Sequence, residues 1–322
     1  MIALSIVAES FGFTWPTCKR LVSEVEPLGF AGLFRSDHFT TPFPATPDTL
    51  DLIVSLTYLA DHTQRVPFGS LVAPVSFRDP VMLARQASAL DDLSSGRMIL
   101  GVGAGWMERE HTMFGYPLGD IPTRMARLQE GLEIITRLLC SAEPVTYTGQ
   151  FYRLHEAVLR PLSHRPGGPP LLIGGSGPRR TLPLVAQYAD IWNAQQLTPD
   201  EFRERSTHLD ELLRQVGRQP SDVKRTLLAP VICGRDPVEL EQRISGLRRI
   251  LPNGAQLPLD ALLGQMRAIF VNTIVGTPEQ VVEQIRAFER AGCEELMAQL
   301  LTVDDFAGLH LLAEQVLPQL TG

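Results

Sequence analysis

Short apolar runs alternate with amphipathic helical patterns along almost the whole chain, and this alternation constrains the fold more than any other feature. Repeated βα units require right-handed crossovers and therefore a parallel sheet. An open, doubly wound sheet also fits the alternation, but eight units in 322 residues favour a closed (β/α)8 TIM barrel of the α/β class. The predicted strands are 2–8, 31–34, 66–72, 98–102, 171–174, 190–195, 227–233 and 295–301.

Helical spacing of apolar residues fills the intervals between these strands. One helix begins at Pro80, after the capping residue Asp79, and ends before Arg97. Another is predicted to begin at Gly177. The remaining helices are predicted at 16–28, 48–61, 123–139, 199–216, 278–291 and 303–317.

Three segments, at about 105–122, 141–170 and 234–270, exceed what a minimal βα unit needs, and we assign them as insertions after strands four, five and seven. Within the second, 144–154 has the pattern of a hairpin with its turn at Thr148-Gly149. The Pro/Gly-rich stretch at 164–170 is shorter than most linkers between domains. We therefore expect one domain, 1–322.

Composition excludes several classes of function. A net charge of −7 argues against a nucleic-acid-binding surface, which normally shows a basic face. The four cysteines lie far apart, so a zinc cluster or disulfide scaffold is not expected, and no other group has metal-ligand spacing. The first residues lack the basic leader of a signal peptide, and no apolar run reaches the length of a membrane span. A cytoplasmic protein is expected.

The residues best suited to chemistry fall where predicted strands end, which is where barrel enzymes carry their sites. Asp37 and His38 follow the second strand, and the Gly-rich segment 101–106 follows the fourth. A histidine titrates near neutral pH and can give or take a proton. His38 is therefore the first candidate for a catalytic group.

Two glycine-rich loops are candidates for anion binding. Gly103 and Gly105, with Ala104 between them, leave backbone N–H groups uncovered. Ser176 and Gly177 stand at a predicted helix start, which favours a phosphate. The second loop can also be read as a tight strand-to-helix turn. A Rossmann fingerprint at 101–106 is rejected, because the third glycine is missing and three βα units precede it.

Six motifs occur in the order found in luciferase-like monooxygenases, and the chain resembles the branch of that family that uses coenzyme F420. The resemblance extends from about residue 2 to 301, except for 234–270. The motifs are Asp37-His38-Phe39, Leu93-Ser94-Ser95-Gly96-Arg97, Gly101-Val102-Gly103-Ala104-Gly105-Trp106, Gly174-Gly175-Ser176-Gly177-Pro178, Ala186-Gln187-Tyr188-Ala189-Asp190-Ile191-Trp192-Asn193 and Gly276-Thr277-Pro278-Glu279.

The resemblance implies a flavin or deazaflavin across the barrel mouth, with its phosphate near strands four and five. It also implies a non-prolyl cis peptide after the third strand, which alignment places at Ser70-Leu71. His38 would lie beside the cofactor ring and take part in the reaction, and Asp37 would bind the cofactor or orient His38. The cofactor-binding residues expected on this basis are Asp37, Ser70, Leu71, Gly103, Ala104, Gly105, Trp106, Gly175, Ser176 and Gly177.

Further candidates for the substrate pocket are Trp15, Glu110 and Trp192. Trp106 stands where some deazaflavin sugar dehydrogenases of the family carry an acidic residue, and Glu110 is the nearest acidic candidate. Trp15 and Trp192 either line the pocket or pack in the interior. The remaining histidines are expected to be surface or packing residues, namely His62, His111, His155, His164, His208 and His310.

The leading hypothesis is therefore an F420-dependent oxidoreductase that transfers a hydride between the deazaflavin C5 and an organic substrate. The alternative is an FMN-dependent monooxygenase that uses reduced flavin and oxygen. A third possibility is a non-catalytic flavin- or deazaflavin-binding barrel, against which the intact Asp37-His38 pair argues. The resemblance also implies a homodimer.

Overall fold

The structure is a computed structural model that describes residues 1–43, 46–163 and 165–321, so His164 lies outside the described residues. Eight parallel strands follow one another around a closed barrel, and the last pairs with the first over Ala3–Ala8. This closure confirms the barrel and excludes the open sheet. The strands are β1 Ala3–Ala8, β2 Leu33–Arg35, β3 Phe68–Ser70, β4 Met98–Gly103, β5 Leu171–Gly174, β6 Ile191–Gln195, β7 Lys224–Cys233 and β8 Glu295–Leu300.

The barrel interior is filled with apolar side chains below the carboxyl ends of the strands. Six buried residues form this layer, and each buried side chain of this kind contributes about 1.5–3 kcal/mol relative to exposure. Because the interior is filled, a ligand has room only above the layer, at the mouth. The six residues are Val7, Phe34, Leu71, Leu172, Ile191 and Met297.

Helices surround the barrel and pack on a larger apolar shell. Asp79 caps α3 by accepting from the N–H groups of Val81 and Met82. The helices are α1 Trp15–Val25, α2 Leu52–His62, α3 Pro80–Leu93, α4 Ile121–Cys140, α5 Thr181–Tyr188, α6 Pro199–Gln215, α7 Pro278–Arg290 and α8 Phe306–Leu311, which continues through a π-helical turn at Leu312–Val316 into Leu317–Thr321. Within the ranges described, none of the helices combines the length and apolar character needed to cross a bilayer.

Two predicted helix starts lie four residues too early, and the first is that of α2, which begins at Leu52, after its capping residue Asp51, rather than at 48. The helix after β5 begins at Thr181 rather than at Gly177, because residues 178–180 form a turn. The Gly177 carbonyl accepts from the N–H groups of Thr181 and Leu182 at 3.0 and 3.1 Å, which closes that turn.

The three extra segments are present, and each has its own structure. The first contains a short helix, Glu108–Phe114. The second contains a hairpin of Val145–Thr148 and Arg153–Ala157, which lies between α4 and β5 and not after the fifth strand. Its two strands pair with each other and form a small sheet separate from the barrel.

The third segment follows β7 and contains two helices, Pro237–Gly246 and Leu259–Ile269. These helices pack together through a separate buried cluster that includes Leu262 and Met266. A short strand, Ile274–Gly276, then pairs in parallel with the end of β7. The segment therefore extends one side of the barrel beyond the mouth.

Candidate functional site

A buried polar network lies above the apolar layer, at the ends of β1, β2 and β8. The Glu9 carboxylate accepts from the Ser36 hydroxyl at 2.7 Å and from the Gln299 amide at 2.5 Å. Gln299 is 5 % exposed, and its Oε1 has no hydrogen-bond partner among the described residues. A buried acceptor without a partner is costly. The floor of the mouth therefore offers an acceptor to a ligand that carries an N–H or O–H group.

His38 lies beside this network, directly after β2. Its ring stacks on Phe11, with centroids 5.6 Å apart, and meets the edge of Trp106 at 5.8 Å. Its Nδ1 lies 3.2 Å from both carboxylate oxygens of Glu110, a residue that is 1 % exposed. The next residue, Phe39, donates its backbone N–H to the same carboxylate at 3.2 Å. The structure therefore brings together His38, Trp106 and Glu110.

The charges around His38 change its protonation. Burial disfavours the imidazolium, but the hydrogen bond and negative charge of Glu110 favour it, and Glu9 and Asp37 add to this effect. Together these groups raise the pKa of His38 above its usual range. The ring therefore keeps its second proton to a higher pH than an ordinary histidine.

Asp37 is buried and faces Arg78 rather than the ring of His38. The Arg78 guanidinium donates to both oxygens of Asp37, at 2.9 and 2.8 Å, and also reaches Asp51 at 2.9 Å. Burial raises the pKa of Asp37, and Arg78 opposes that rise. The carboxylate of Asp37 is thus committed to an ion pair that ties the end of β2 to the loop before α3. A role in cofactor binding is not supported by this geometry.

We predict that Arg78→Met lowers the free energy of unfolding by about 3–5 kcal/mol at neutral pH, because Asp37 then stays buried without its partner. Chemical denaturation measures this change. Arg203→Met is the matched control, since Arg203 pairs with Asp200 on an exposed helix surface. Its effect should stay within about 0.5 kcal/mol. Similar losses in the two variants would contradict the prediction.

The cis peptide after the third strand joins Leu71 and Val72, one residue later than predicted. Ser70 still belongs to β3, and its hydroxyl donates to the Gly101 carbonyl and accepts from the Gly101 N–H. Leu71 belongs to the apolar layer below the mouth. The side chains of Ser70 and Leu71 are therefore engaged within the barrel. Val72 is partly exposed.

Gly103, the last residue of β4, and Gly105 in the loop after it pack closely against the segment that follows β3. A Cβ on Gly103 would lie 2.5 Å from Val72 Cγ2, and one on Gly105 would lie 2.3 Å from Ser76 Oγ. Gly105 also has a φ of +78°, which a side chain disfavours. Arg124 donates to the Gly105 carbonyl at 2.9 Å. This loop therefore holds a fixed backbone next to Trp106, which is 58 % exposed.

The loop after β5 is similarly fixed. Gly175 has a φ of +128°, and its carbonyl accepts from the Trp192 indole at 2.8 Å. The Ser176 hydroxyl donates to the Gln195 carbonyl and accepts from the Gln195 N–H. Because α5 starts later than predicted, any anion at Gly177 would meet turn N–H groups rather than a helix terminus. Phosphate binding at this loop stays a prediction.

The other two tryptophans contact aromatic rings of the surrounding helices. Trp192 is 0 % exposed and stacks on Phe202 of α6 at 5.3 Å, so its ring lies between the sheet and a helix. Trp15 meets Tyr58 of α2 edge-on at 5.8 Å. The buried Trp192 therefore matches the packing alternative, whereas a pocket role for Trp15, which is 37 % exposed, stays a prediction. His111 is also a packing residue, since it bonds the Met107 carbonyl and the Ser76 hydroxyl, each at 2.7 Å.

Sequence reasoning missed four residues around the site, namely Glu9, Phe11, Arg78 and Gln299. Glu9 follows the first predicted strand directly, so the strand-end rule was sufficient to identify it. Gln299 lies within the eighth predicted strand, and only the closed barrel shows that it faces inward. Phe11 and Arg78 carried no pattern that distinguished them from ordinary loop residues.

Residues 4–295 match the family model described as luciferase-like monooxygenase. The chain belongs to this family. It is 28 % identical over 321 residues to an F420-dependent glucose-6-phosphate dehydrogenase of Intrasporangium calvum, with 92 % of each chain covered. It is also 24 % identical over 334 residues to a 5,10-methylenetetrahydromethanopterin reductase of Archaeoglobus fulgidus, with 93 % of this chain and 94 % of the relative covered.

A similar fold occurs in the solved structure of an F420-dependent secondary alcohol dehydrogenase in complex with an F420–acetone adduct. The TM-score is 0.84 at 19 % sequence identity, and 99 % of this chain and 98 % of the other are covered. At this identity the likeness shows the shared fold.

Proposed function

We propose that this protein is an F420-dependent oxidoreductase that transfers a hydride between the deazaflavin C5 and an organic substrate. The observation that carries the proposal is the position of His38 at the barrel mouth, between Phe11 and Trp106 and bonded to Glu110. The relative named for F420 matches over 92 % of its length, which supports the choice of cofactor. The third possibility, a barrel without catalysis, leaves this buried histidine–carboxylate pair unexplained.

The residues present fit a flat, polar ring system with a phosphate-bearing tail. Gln299 Oε1 is a buried acceptor that has no partner within residues 1–43, 46–163 and 165–321, which suits a ring N–H group. Val72 and the glycine backbone after β4 form a surface where a side chain on Gly103 has no room. We propose that backbone N–H groups of two loops hold the phosphate. These loops contain Gly103, Ala104, Gly105 and Trp106, and Gly175, Ser176 and Gly177.

F420, when bound, supplies a carrier that gives or accepts a hydride. The protein's own part is proton transfer, positioning and exclusion of water. His38 would give or take the substrate proton at Nε2, because Nδ1 is bonded to Glu110. Phe11 and Trp106 flank the imidazole with aromatic surface and limit the access of water to it.

We predict that the purified protein binds F420 with micromolar or tighter affinity and binds FMN at least about tenfold more weakly, a difference of about 1.4 kcal/mol. Parallel titrations followed by fluorescence quenching measure both affinities. The matched control is the deazaflavin that carries the ribityl chain but no phosphate. It should bind more weakly than F420 if the two loops hold the phosphate.

Preference for FMN would instead favour the FMN-dependent monooxygenase, an activity compatible with the name of the family model. If the protein binds neither cofactor, the proposed cofactor is wrong, but the description of the barrel fold is unaffected. Equal affinity for F420 and the phosphate-free deazaflavin would contradict only the proposal that the two loops hold the phosphate.

A further inference from the structure

We propose that Glu110 is the positioning residue of His38, which holds the proton on Nδ1 and leaves Nε2 as the ring nitrogen that exchanges a proton with the reactant. Glu110 belongs to the insertion after β4, and His38 follows β2, so the contact joins two separate loops of the mouth. The catalytic consequence rests on the proposed function. The hydrogen bond between Glu110 and His38, and its effect on the pKa of His38, do not depend on the proposed function.

The geometry determines which nitrogen carries the proton. Both oxygens of Glu110 lie 3.2 Å from Nδ1, and a carboxylate can only accept hydrogen bonds. Nδ1 must therefore be the donor in both the neutral and the charged ring. The Phe39 N–H donates to Glu110 Oε2, so one carboxylate holds the side chain of one residue and the backbone of the next.

The residues on either side of Glu110 fix its position. Arg109 donates to the Thr40 hydroxyl at 2.7 Å and to the Thr41 carbonyl at 2.8 Å, which ties the short helix to the loop after β2. His111 bonds Ser76 in the loop after β3. The helix Glu108–Phe114 is thus attached to both neighbouring loops, and Glu110 is aimed at His38 by the backbone between these anchors.

Several charged groups surround the ring, and their contributions differ in kind. Glu9 lies on the β1 side, and Asp37 precedes His38 but is paired with Arg78. Arg109 lies beside Glu110 on the insertion helix. Within the described ranges, Glu110 is the carboxylate that hydrogen-bonds the ring, and it is the leading cause that raises the pKa of His38 against the effect of burial.

This arrangement determines how the rate should depend on pH. In the oxidation of an alcohol, F420 would supply the hydride acceptor, and Nε2 of His38 would take the proton of the substrate hydroxyl. That step needs the neutral ring, so its rate rises as pH increases through the pKa of His38. Without the Glu110 charge, burial dominates and the pKa falls, so the rise should occur at lower pH.

The test is nitrogen-15 NMR of the full chain labelled at histidine, without added cofactor, with His38→Asn used to assign the signals. In the wild type we expect the Nδ1–H tautomer and a pKa above the usual range. In Glu110→Gln we expect the pKa of His38 to fall by about 1–3 pH units. Glu108→Gln is the matched control, because Glu108 lies exposed on the same helix and should change neither value.

An unchanged pKa in Glu110→Gln, or an equal fall in Glu108→Gln, would overturn the proposal. If Glu110→Gln does not fold, the wild-type spectrum alone decides, because an Nε2–H tautomer of neutral His38 contradicts the assignment. The result is independent of turnover. A failed cofactor titration would leave the Glu110 contact standing, and a failed NMR test would leave the cofactor question open.

Discussion

Replacing His38 with Asn is expected to reduce turnover by about 10²–10⁴-fold, the usual contribution of a positioned acid–base group. Affinity for F420 should stay nearly unchanged, because the proposed phosphate-binding loops follow β4 and β5 and do not include this side chain. Asn is chosen because its amide can still donate to Glu110, which avoids leaving that buried carboxylate without a partner.

The measurement is single-turnover loss of the F420 absorbance with a substrate found by screening, together with the F420 affinity of the same preparation. His62→Asn is the control, since His62 lies exposed on α2 and bonds the Tyr58 carbonyl. Equal turnover in wild type and His38→Asn would remove His38 from the mechanism. A parallel loss of affinity and turnover would instead indicate a binding role.

A large loss of stability is expected from Gly101→Ala. A Cβ at this position would lie 1.9 Å from the Ser70 carbonyl oxygen and 2.9 Å from the carbonyl carbon, and both atoms belong to backbone that cannot rotate away. The two strands would have to separate, which also disrupts the paired hydrogen bonds between Ser70 and Gly101. We expect a loss of about 3 kcal/mol or more, or no soluble folded protein.

Thermal and chemical denaturation test this expectation, with Gly264→Ala as the matched control. Gly264 lies in the helix Leu259–Ile269, and its added Cβ would meet no atom within 4 Å. Alanine there should be neutral or stabilising by about 0.5–1 kcal/mol, because it favours the helix. A Gly101→Ala protein as stable as wild type would show that β3 and β4 tolerate separation.

Local patterns were sufficient to predict the barrel, because each βα unit shows its apolar strand and its helix spacing within a few residues. They also identified His38, which lies at a strand end within a recognisable motif. The start of α5 was misplaced because the turn after Gly177 depends on hydrogen bonds to Thr181 and Leu182 that the sequence does not display.

The composition of the site could not be predicted in the same way. Glu110 stands 72 residues after His38, and Gln299 stands 290 residues after Glu9. Such contacts depend on which strands become neighbours and which way each side chain turns. Trp192 shows the second difficulty, since it is the second residue of β6 rather than a residue at its carboxyl end, and its ring points outward into the helix layer. Asp37 shows a third, because its partner Arg78 lies in another loop.

The short helix after β4 links two properties of the site, the selectivity of the mouth and the acidity of His38. Loops at the mouth are the natural place for a new specificity to arise, since they vary without disturbing the scaffold. Here the same loop carries Arg109, Glu110 and His111, which attach it to its neighbours and hold the His38 imidazole. Sequence change in this loop is therefore constrained. A replacement loop without the Glu110 carboxylate would change the acidity of His38 along with the selectivity of the mouth. We therefore expect these two properties to evolve together.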